Sequence, residues 1–366
     1  MGWRNRIEVS YGALRDNVTA VIRAAAGRGV IAVIKADAYG LGLERCARIY
    51  HRAGVAALAV ACLSEADRVR AIVPAARIIL LGSPLAEERQ AVVASRYDVS
   101  VSSLEEVEAF AAIATPAAPV RLHVNVDTGM GRLGCLVAEA PALVARIRAD
   151  SALRLAGIST HYPMATDAPL AGRQEAHIAA LLDAVGTLPE DCWVHMANSE
   201  GLLLRPPGRS THVRAGLLLA GIVPEGCPDP GVRPVLRWLS SLSLVKRLPA
   251  GAGISYNHQH RLARDSVVAV VPVGYADGYP IALSGKGACV LVGGRRCPIL
   301  GRITMDYLMV DCTDLPEAPR PGAEVVLIGS QGQARVTIED LTRLLGTIPY
   351  DLLCSFRGRC EIVGVA

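Results

Sequence analysis

A lysine, Lys35, follows the apolar run Val30 to Ile34 and precedes the small-residue stretch Ala36-Asp37-Ala38-Tyr39-Gly40-Leu41-Gly42. The run is short and β-branched and reads as a buried strand. Partial burial at the end of such a strand disfavours the charged amine, and an amine so held can form a Schiff base. The plain alternative is a solvated flank, which is what most strand-flanking lysines are. Further along stand Asp127-Thr128-Gly129-Met130-Gly131-Arg132, His161, Asn198-Ser199 and Arg214-Ala215-Gly216-Leu217. Asn198 and Ser199 precede the apolar run Gly201 to Leu204, so either can cap a helix or, at a helix N-terminus, help hold an anion. Gly216 is either a turn glycine or a place where backbone amides approach a phosphate closely. A histidine such as His161 is, by itself, more often structural, and a buried arginine such as Arg214 needs an anion or acceptor to offset its desolvation.

The elements that must position these groups repeat one unit: a short apolar strand, a polar turn, a helical stretch. Strand candidates begin near Val30, Ala56, Ala76, Tyr97, Arg121, Leu153, Trp193 and Thr211, with helix-like segments such as Leu63 to Val73 and Ser103 to Ala114 between them. Eight alternations predict an α/β fold, a closed (β/α)8 TIM-type barrel preceded by a helix over Tyr11 to Ala26. In such barrels the chemistry sits at the C-terminal ends of the strands, which is where Lys35, Asp127 to Arg132, His161, Asn198 and Arg214 all fall. After about Gly221 the texture changes. Pro224, Pro228, Pro230 and Pro234 form a joint, and β-branched runs cut by Gly and Pro follow, at Ser266 to Val273, Ala288 to Val292 and Tyr307 to Val310. The expected organisation is a barrel over residues 1–225 and a second, mainly β domain over 226–366, with roughly the first ten residues, Arg6 to Val9 among them, open to joining the β domain.

Composition narrows the function classes. Hydrophobic residues make up 51% of the 366 and aromatics 4%, so the cores must be built from Ala, Val, Leu and Ile. The net charge of +4 is spread along the chain without a basic run, which gives no case for a nucleic-acid partner. The longest apolar stretch, near Gly54 to Leu63, is too short to span a bilayer, and the first residues lack the pattern of a signal peptide, so a cytoplasmic protein without membrane association is expected. The ten cysteines are scattered without a CxxC pair and read as reduced core residues, neither disulfides nor metal ligands.

The stretch Val33 to Gly42 closely resembles the cofactor-lysine segment of the alanine racemases, which carry pyridoxal 5'-phosphate (PLP) on a barrel. Gly253-Ile254-Ser255-Tyr256-Asn257, Val273-Gly274-Tyr275-Ala276-Asp277-Gly278 and Gly301-Arg302-Ile303-Thr304-Met305-Asp306 resemble motifs of the same family's second domain. The resemblance implies that Lys35 binds PLP and serves as a base on one face of the substrate carbanion, with Tyr256 the base on the other. It implies a cofactor site of Lys35, Tyr39, Asn198, Ser199, Arg214, Gly216, Leu217 and Tyr350. Arg214 would face the pyridine nitrogen. Because arginine keeps its proton, the ring would be a weaker electron sink, favouring prompt reprotonation. His161 would bridge Tyr256 and Arg214, bringing a phenol of pKa about 10 nearer to neutrality. Arg132 and the Met305 amide would take the substrate carboxylate, and Tyr275 would narrow the entrance. In the family Tyr256 and Met305 reach the other subunit's barrel, implying a head-to-tail homodimer with shared sites. The substrate implied is L- or D-alanine, and the role is D-alanine supply for peptidoglycan.

The chain departs from the family in places. Asn125 stands where many members have a lysine carbamate that orients the substrate-binding arginine; it brings no charge, so a bound anion such as chloride is expected to fill the gap. Thr304 replaces a common cysteine, Ala220 a common tyrosine, and the ending Cys354 to Arg359 differs from the usual arginine-proline. Two competing readings remain. An amino-acid decarboxylase of the same architecture would pair the ring nitrogen with an acid, against Arg214. A non-catalytic PLP-binding homeostasis protein would have the barrel alone, against the second domain with Tyr256.

Overall fold

The structure is a computed structural model that describes residues 4–356 and 359–366; Met1, Gly2, Trp3, Arg357 and Gly358 lie outside these. Cα proximity divides the chain into two units. One comprises Ala13–Ala38 and Gly42–Pro234; the other gathers the N-terminal residues to Gly12, Tyr39–Leu41 and Val235–Ala366.

After an opening strand β1 (Asn5–Ser10) and helix α1 (Tyr11–Ala24), the first unit is built on eight parallel strands. These are β2 (Gly29–Val33), β3 (Ala57–Val60), β4 (Ile78–Leu80), β5 (Asp98–Val101), β6 (Val120–Asp127), β8 (Leu153–Ser159), β9 (Trp193–His195) and β10 (His212–Ala215), with a short β7 (Cys135–Leu136) beside β6. Each pairs in parallel with the next, and β10 pairs with β2, which closes the barrel. The expected eight-strand barrel is observed, each strand starting within two residues of its expected place. The physical reason is burial on both faces: Ala57–Val60 and Ile78–Leu80 are buried throughout, so these strands read as unbroken apolar runs.

Between the strands lie α2 (Lys35–Gly40), α3 (Leu43–Arg52), α4 (Leu63–Ile72), α5 (Arg89–Ala94), α6 (Leu104–Ala111), α7 (Ala140–Arg148), α8 (Ala168–Val185) and α9 (Ser199–Leu204). Their starts carry local signals. The Ser103 side chain accepts from the Glu106 amide at the head of α6, and Asp167 from Leu170 at α8.

The second unit is mainly β, as expected of the C-terminal part. Its strands are β11 (Leu236–Ser241), β12 (Leu244–Leu248), β13 (Gly253–Ile254), β14 (His260–Arg261), β15 (Ser266–Val271), β16 (Cys289–Val292), β17 (Arg295–Pro298), β18 (Leu308–Asp311), β19 (Glu324–Gln331), β20 (Ala334–Val336) and β21 (Glu361–Val365), with helices α10 (Ile338–Leu345) and α11 (Pro349–Leu353). The main sheet runs β17-β16-β19-β11-β1-β21. β1 is therefore internal to it, antiparallel to β11 and parallel to β21, with Ile7 opposite Trp238. The fully buried Trp238 packs against Tyr279 and Phe356, with ring centroids 5.6 and 5.2 Å away, and donates its Nε1–H to Asn5 Oδ1.

Candidate active site

Lys35 is half-buried and follows β2 at the C-terminal end of the barrel. The turn it begins has an unusual backbone. Ala36, Asp37, Ala38 and Tyr39 all have φ between 53 and 56°, so α2 is a left-handed turn made without glycine until Gly40. That conformation costs about 1–2 kcal/mol per L-residue, so local preference opposes it. Side chains from neighbouring helices hold it. Glu65 accepts from the Ala36 amide at 2.6 Å and from the Ala61 amide at 2.9 Å. Asp37 Oδ1 accepts from the Leu43 amide at 3.1 Å and from Arg68 at 2.9 Å, while Arg68 also pairs with Glu44 at 2.7 Å.

At the end of β6 the Asp127 carboxylate accepts from the amides of Gly129, Met130 and Gly131 at 2.8–2.9 Å, which ties the loop carrying the exposed Arg132. Burial pushes the Asp127 carboxyl up, but these amides together hold it below its ordinary value. Asn125, within β6, accepts from Ser159 Oγ at 3.3 Å. Among the described residues no hydrogen bond joins Asn125 to Arg132.

Arg214, on β10, is 7% exposed. Its Nη1 donates to His195 Nδ1 at 2.7 Å and to the His195 carbonyl at 2.5 Å. Its Nη2 donates to the carbonyls of Thr160 and Met196 at 2.6 and 3.1 Å and to His161 Nδ1 at 3.0 Å. Among the described residues its Nε–H has no partner and no carboxylate pairs with it. Burial pulls the guanidinium down to about 10, helped by the Arg132 charge, which still leaves it a cation near neutrality. Since Arg214 can only donate, His161 Nδ1 must accept, so His161 is neutral and keeps its proton on Nε2. Burial, then the charges of Arg214, Arg132 and Lys35, lower His161 to about 3. The imidazole thus feels all three cations of the barrel mouth.

After β9, Asn198 caps α9 by accepting from the Gly201 amide at 2.8 Å, and donates to the Tyr162 carbonyl at 3.3 Å. The cap is thus observed, and it is compatible with an anion at the same helix end. The buried Ser199 hydroxyl accepts from the Gly216 amide at 3.3 Å, which joins α9 to the turn after β10 and brings Ser199, Gly216 and the buried Leu217 together. These are the small polar groups and amides a phosphate needs.

The β-rich unit holds the remaining sequence-predicted residues. Tyr39, 8% exposed, packs on Tyr350 with ring centroids 5.3 Å apart. Tyr256 is 65% exposed in a tight loop where Ser255 and Asn257 have φ near 60°. Ser255 Oγ donates to the Arg302 carbonyl at 2.6 Å, fastening that loop to the segment leading to Met305. The Tyr275 and Ala276 amides donate to the Thr304 and Met305 carbonyls, both at 3.1 Å. Gly274 is required there, because a Cβ would lie 2.3 Å from the Met305 carbonyl oxygen. Tyr256, Tyr275 and Met305 are thus three exposed side chains on three loops joined by hydrogen bonds.

Sequence reasoning missed three polar residues inside the barrel: Asp98, His123 and His195, all at most 2% exposed. The available signal was a polar residue within or at the end of a short strand: His123 inside β6, Asp98 opening β5 and His195 closing β9.

Residues 9–224 match the family model "Alanine racemase, N-terminal domain" and residues 235–363 match "Alanine racemase, C-terminal domain". The chain is 38% identical to the alanine racemase of Streptomyces coelicolor, covering 99% of this chain and 96% of that one. It is 35% identical to that of Methylacidiphilum infernorum, with 96% and 90% covered. The crystal structure of the Enterococcus faecalis alanine racemase (E.faecalis) superposes with a TM-score of 0.93 over 100% of both chains at 31% identity. That of the Bartonella henselae enzyme, described with covalently bound pyridoxal phosphate, superposes with a TM-score of 0.90 at 28% identity over 99% of both. The chain belongs to the alanine racemase family, enzymes that interconvert the two enantiomers of alanine.

Proposed function

We propose that this chain racemises alanine with pyridoxal 5'-phosphate and two bases, Lys35 and Tyr256 of the partner subunit, in a head-to-tail homodimer. The setting would be the cytoplasm and the product D-alanine for peptidoglycan. The observation that carries the reading is Arg214. A buried guanidinium with four N–H groups committed and Nε–H left over fits a ring nitrogen acceptor. The Ser199 hydroxyl with the Gly216 amide, and the Tyr39–Tyr350 pair, fit a phosphate.

Bound PLP withdraws electron density from the α-carbon of an amino acid and makes its proton acidic. The rest falls to this chain's residues. Lys35 would hold the cofactor and move the α-proton on one face, and the Tyr256 phenol would move it on the other. His161, neutral with Nε2–H free to donate, would stabilise the Tyr256 phenolate and so lower the cost of its acting as a base. Arg132 and the Met305 amide would hold the carboxylate. Tyr275 would limit the side chain to about a methyl group. Arg214 in place of an acid also speaks against the decarboxylase reading.

The test is proton NMR of L-alanine with the PLP-loaded protein in D2O, followed by chiral separation. Loss of the α-proton signal with D-alanine appearing is expected. A loaded lysine without exchange would sink the proposal and favour a binding protein.

A further inference from the structure

Arg214 lies at the barrel mouth without a carboxylate beside it, yet it is desolvated. Its hydrogen bonds lead inward along the barrel to a carboxylate. Nη1 meets His195 Nδ1 at 2.7 Å, His195 Nε2 meets His123 Nδ1 at 2.9 Å, and His123 Nε2 meets Asp98 Oδ2 at 3.0 Å. Asp98 is the first residue of β5, so the line runs from the N-terminal end of the barrel, its floor, to the mouth.

We propose that Asp98, His123 and His195 form a polarised hydrogen-bond wire through the barrel that orients Arg214, with the Asp98 carboxylate fixing its polarity from the far end. These are positioning residues, and what they position rests on the reading that Arg214 faces the cofactor ring.

The direction of every bond is fixed by the two ends. An arginine only donates, so His195 Nδ1 accepts and its proton is on Nε2. His195 then donates to His123 Nδ1, whose proton is also on Nε2 and goes to a carboxylate that only accepts. No other neutral assignment satisfies all three bonds. Both imidazoles are within 1% of full burial; burial, then the Arg214 charge, holds His195 well below the ordinary histidine value, and burial holds His123 below it against the opposing pull of Asp98. The wire therefore carries dipoles and no charge of its own, and aligned dipoles strengthen one another in a low dielectric.

The surroundings are shaped for this arrangement. Gly157 on β8 makes room for His123: a Cβ there would lie 2.2 Å from His123 Nδ1. Asp98 is gripped by Arg77 at 2.6 and 2.8 Å and by Arg121 at 3.0 Å, which fixes the carboxylate that ends the wire. Arg77 in turn lies 3.4 Å over the Trp193 ring, and His212 stacks on Trp193 with centroids 3.9 Å apart. The titratable groups around the wire are thus Arg77, Arg121, His212, Asp191 and Arg214, and the nearest two cations serve Asp98 directly.

The test is 15N NMR of histidine-labelled, PLP-loaded protein, with Asp98→Asn as the variant, because asparagine keeps one acceptor for His123 while the charge and the oxygen that accepts from Arg121 are lost. In the unmodified protein both imidazoles should be neutral, protonated at Nε2, and unchanged between about pH 6 and 9. In Asp98→Asn, kcat should fall roughly ten- to a hundredfold with KM for alanine nearly unchanged, and the cofactor's ring-nitrogen resonance should move. Either imidazole protonated at Nδ1 or titrating in that range would overturn the wire, as would an Asp98→Asn enzyme with unaltered kcat and ring-nitrogen signal. The tautomers decide the matter in the unmodified protein even where the variant does not fold. A chain that took up no PLP would defeat the functional reading, while the imidazole signals would still decide the wire.

Discussion

Glu65 joins the backbone of Ala36 to that of Ala61: one carboxylate oxygen accepts from each amide, at 2.6 and 2.9 Å. The first of these amides belongs to the residue after Lys35, at the start of four consecutive left-handed residues.

Replacing Glu65 should therefore loosen the turn that presents Lys35. Glu65→Ala is expected to lower the unfolding free energy by about 1–3 kcal/mol, the usual cost of losing charge-assisted bonds to two amides. It should also lower PLP occupancy, read from the visible absorbance of the lysine-bound cofactor. Glu65→Gln, with one carbonyl oxygen left, should fall between. Full occupancy and an unchanged denaturation midpoint in Glu65→Ala would show that the turn needs no such clamp.

If Tyr256 works in the partner's barrel, the two bases of each site come from different chains. Lys35→Ala and Tyr256→Phe should each be inactive as homodimers. Refolded together they should regain roughly a quarter of the unmodified activity, because half the dimers are mixed and each mixed dimer has one intact site. Recovery of no activity in confirmed mixed dimers would place both bases in one subunit. Tyr256→Phe alone should also confine α-deuterium exchange to one enantiomer.

Much of the barrel is legible in the sequence. The strands near Val30, Ala56 and Ala76 stand out because strands buried on both faces are apolar runs, and the groups placed after the barrel strands lie at their C-terminal ends. The left-handed turn is not legible, because Ala36, Asp37, Ala38 and Tyr39 have no intrinsic leaning that way. Helices α3 and α4 impose it. Nor is the line from Asp98 to Arg214 legible, since it depends on how β5, β6, β9 and β10 register with one another. One histidine in an apolar strand carries no hint of its neighbour 72 residues away. The asparagine cap at Asn198 is one of two compatible readings the residues allow, and the bond to Gly201 shows the cap.

The buried histidines set a pH dependence of stability. Burial lowers His161 to about 3 and His212 to about 4, and pushes His123 and His195 down as well. The unfolded chain therefore binds more protons than the folded one below about pH 6.5, so stability rises with pH through that range. It is fully present above about 6.5 and is lost progressively as pH falls towards the folded-state values. Between pH 6.5 and 5 a histidine held at about 3, as His161 is, contributes about 2 kcal/mol of this loss. Urea midpoints measured at several pH values should fall steeply on the acid side. His195→Gln should flatten the slope, and a midpoint independent of pH from 7 to about 5 would contradict neutral burial.

Asn125 offers the sharpest question about substrate binding. Its Oδ1 accepts from Ser159 Oγ at 3.3 Å, and among the described residues it makes no bond to Arg132, the exposed arginine expected to take the substrate carboxylate. An arginine without a fixed anion is free to rotate, and orienting it costs side-chain entropy at each binding event. A chloride bound between them would supply what the neutral amide lacks. KM for alanine should then fall several-fold as chloride replaces an equal ionic strength of a bulky anion, with kcat little changed. Asn125→Lys should lose that dependence, either through carbamate formation or, if the amine stays cationic, by repelling Arg132 and raising KM throughout. If the unmodified enzyme is indifferent to chloride and Asn125→Lys has the same KM, Arg132 is oriented by something other than an anion at this position.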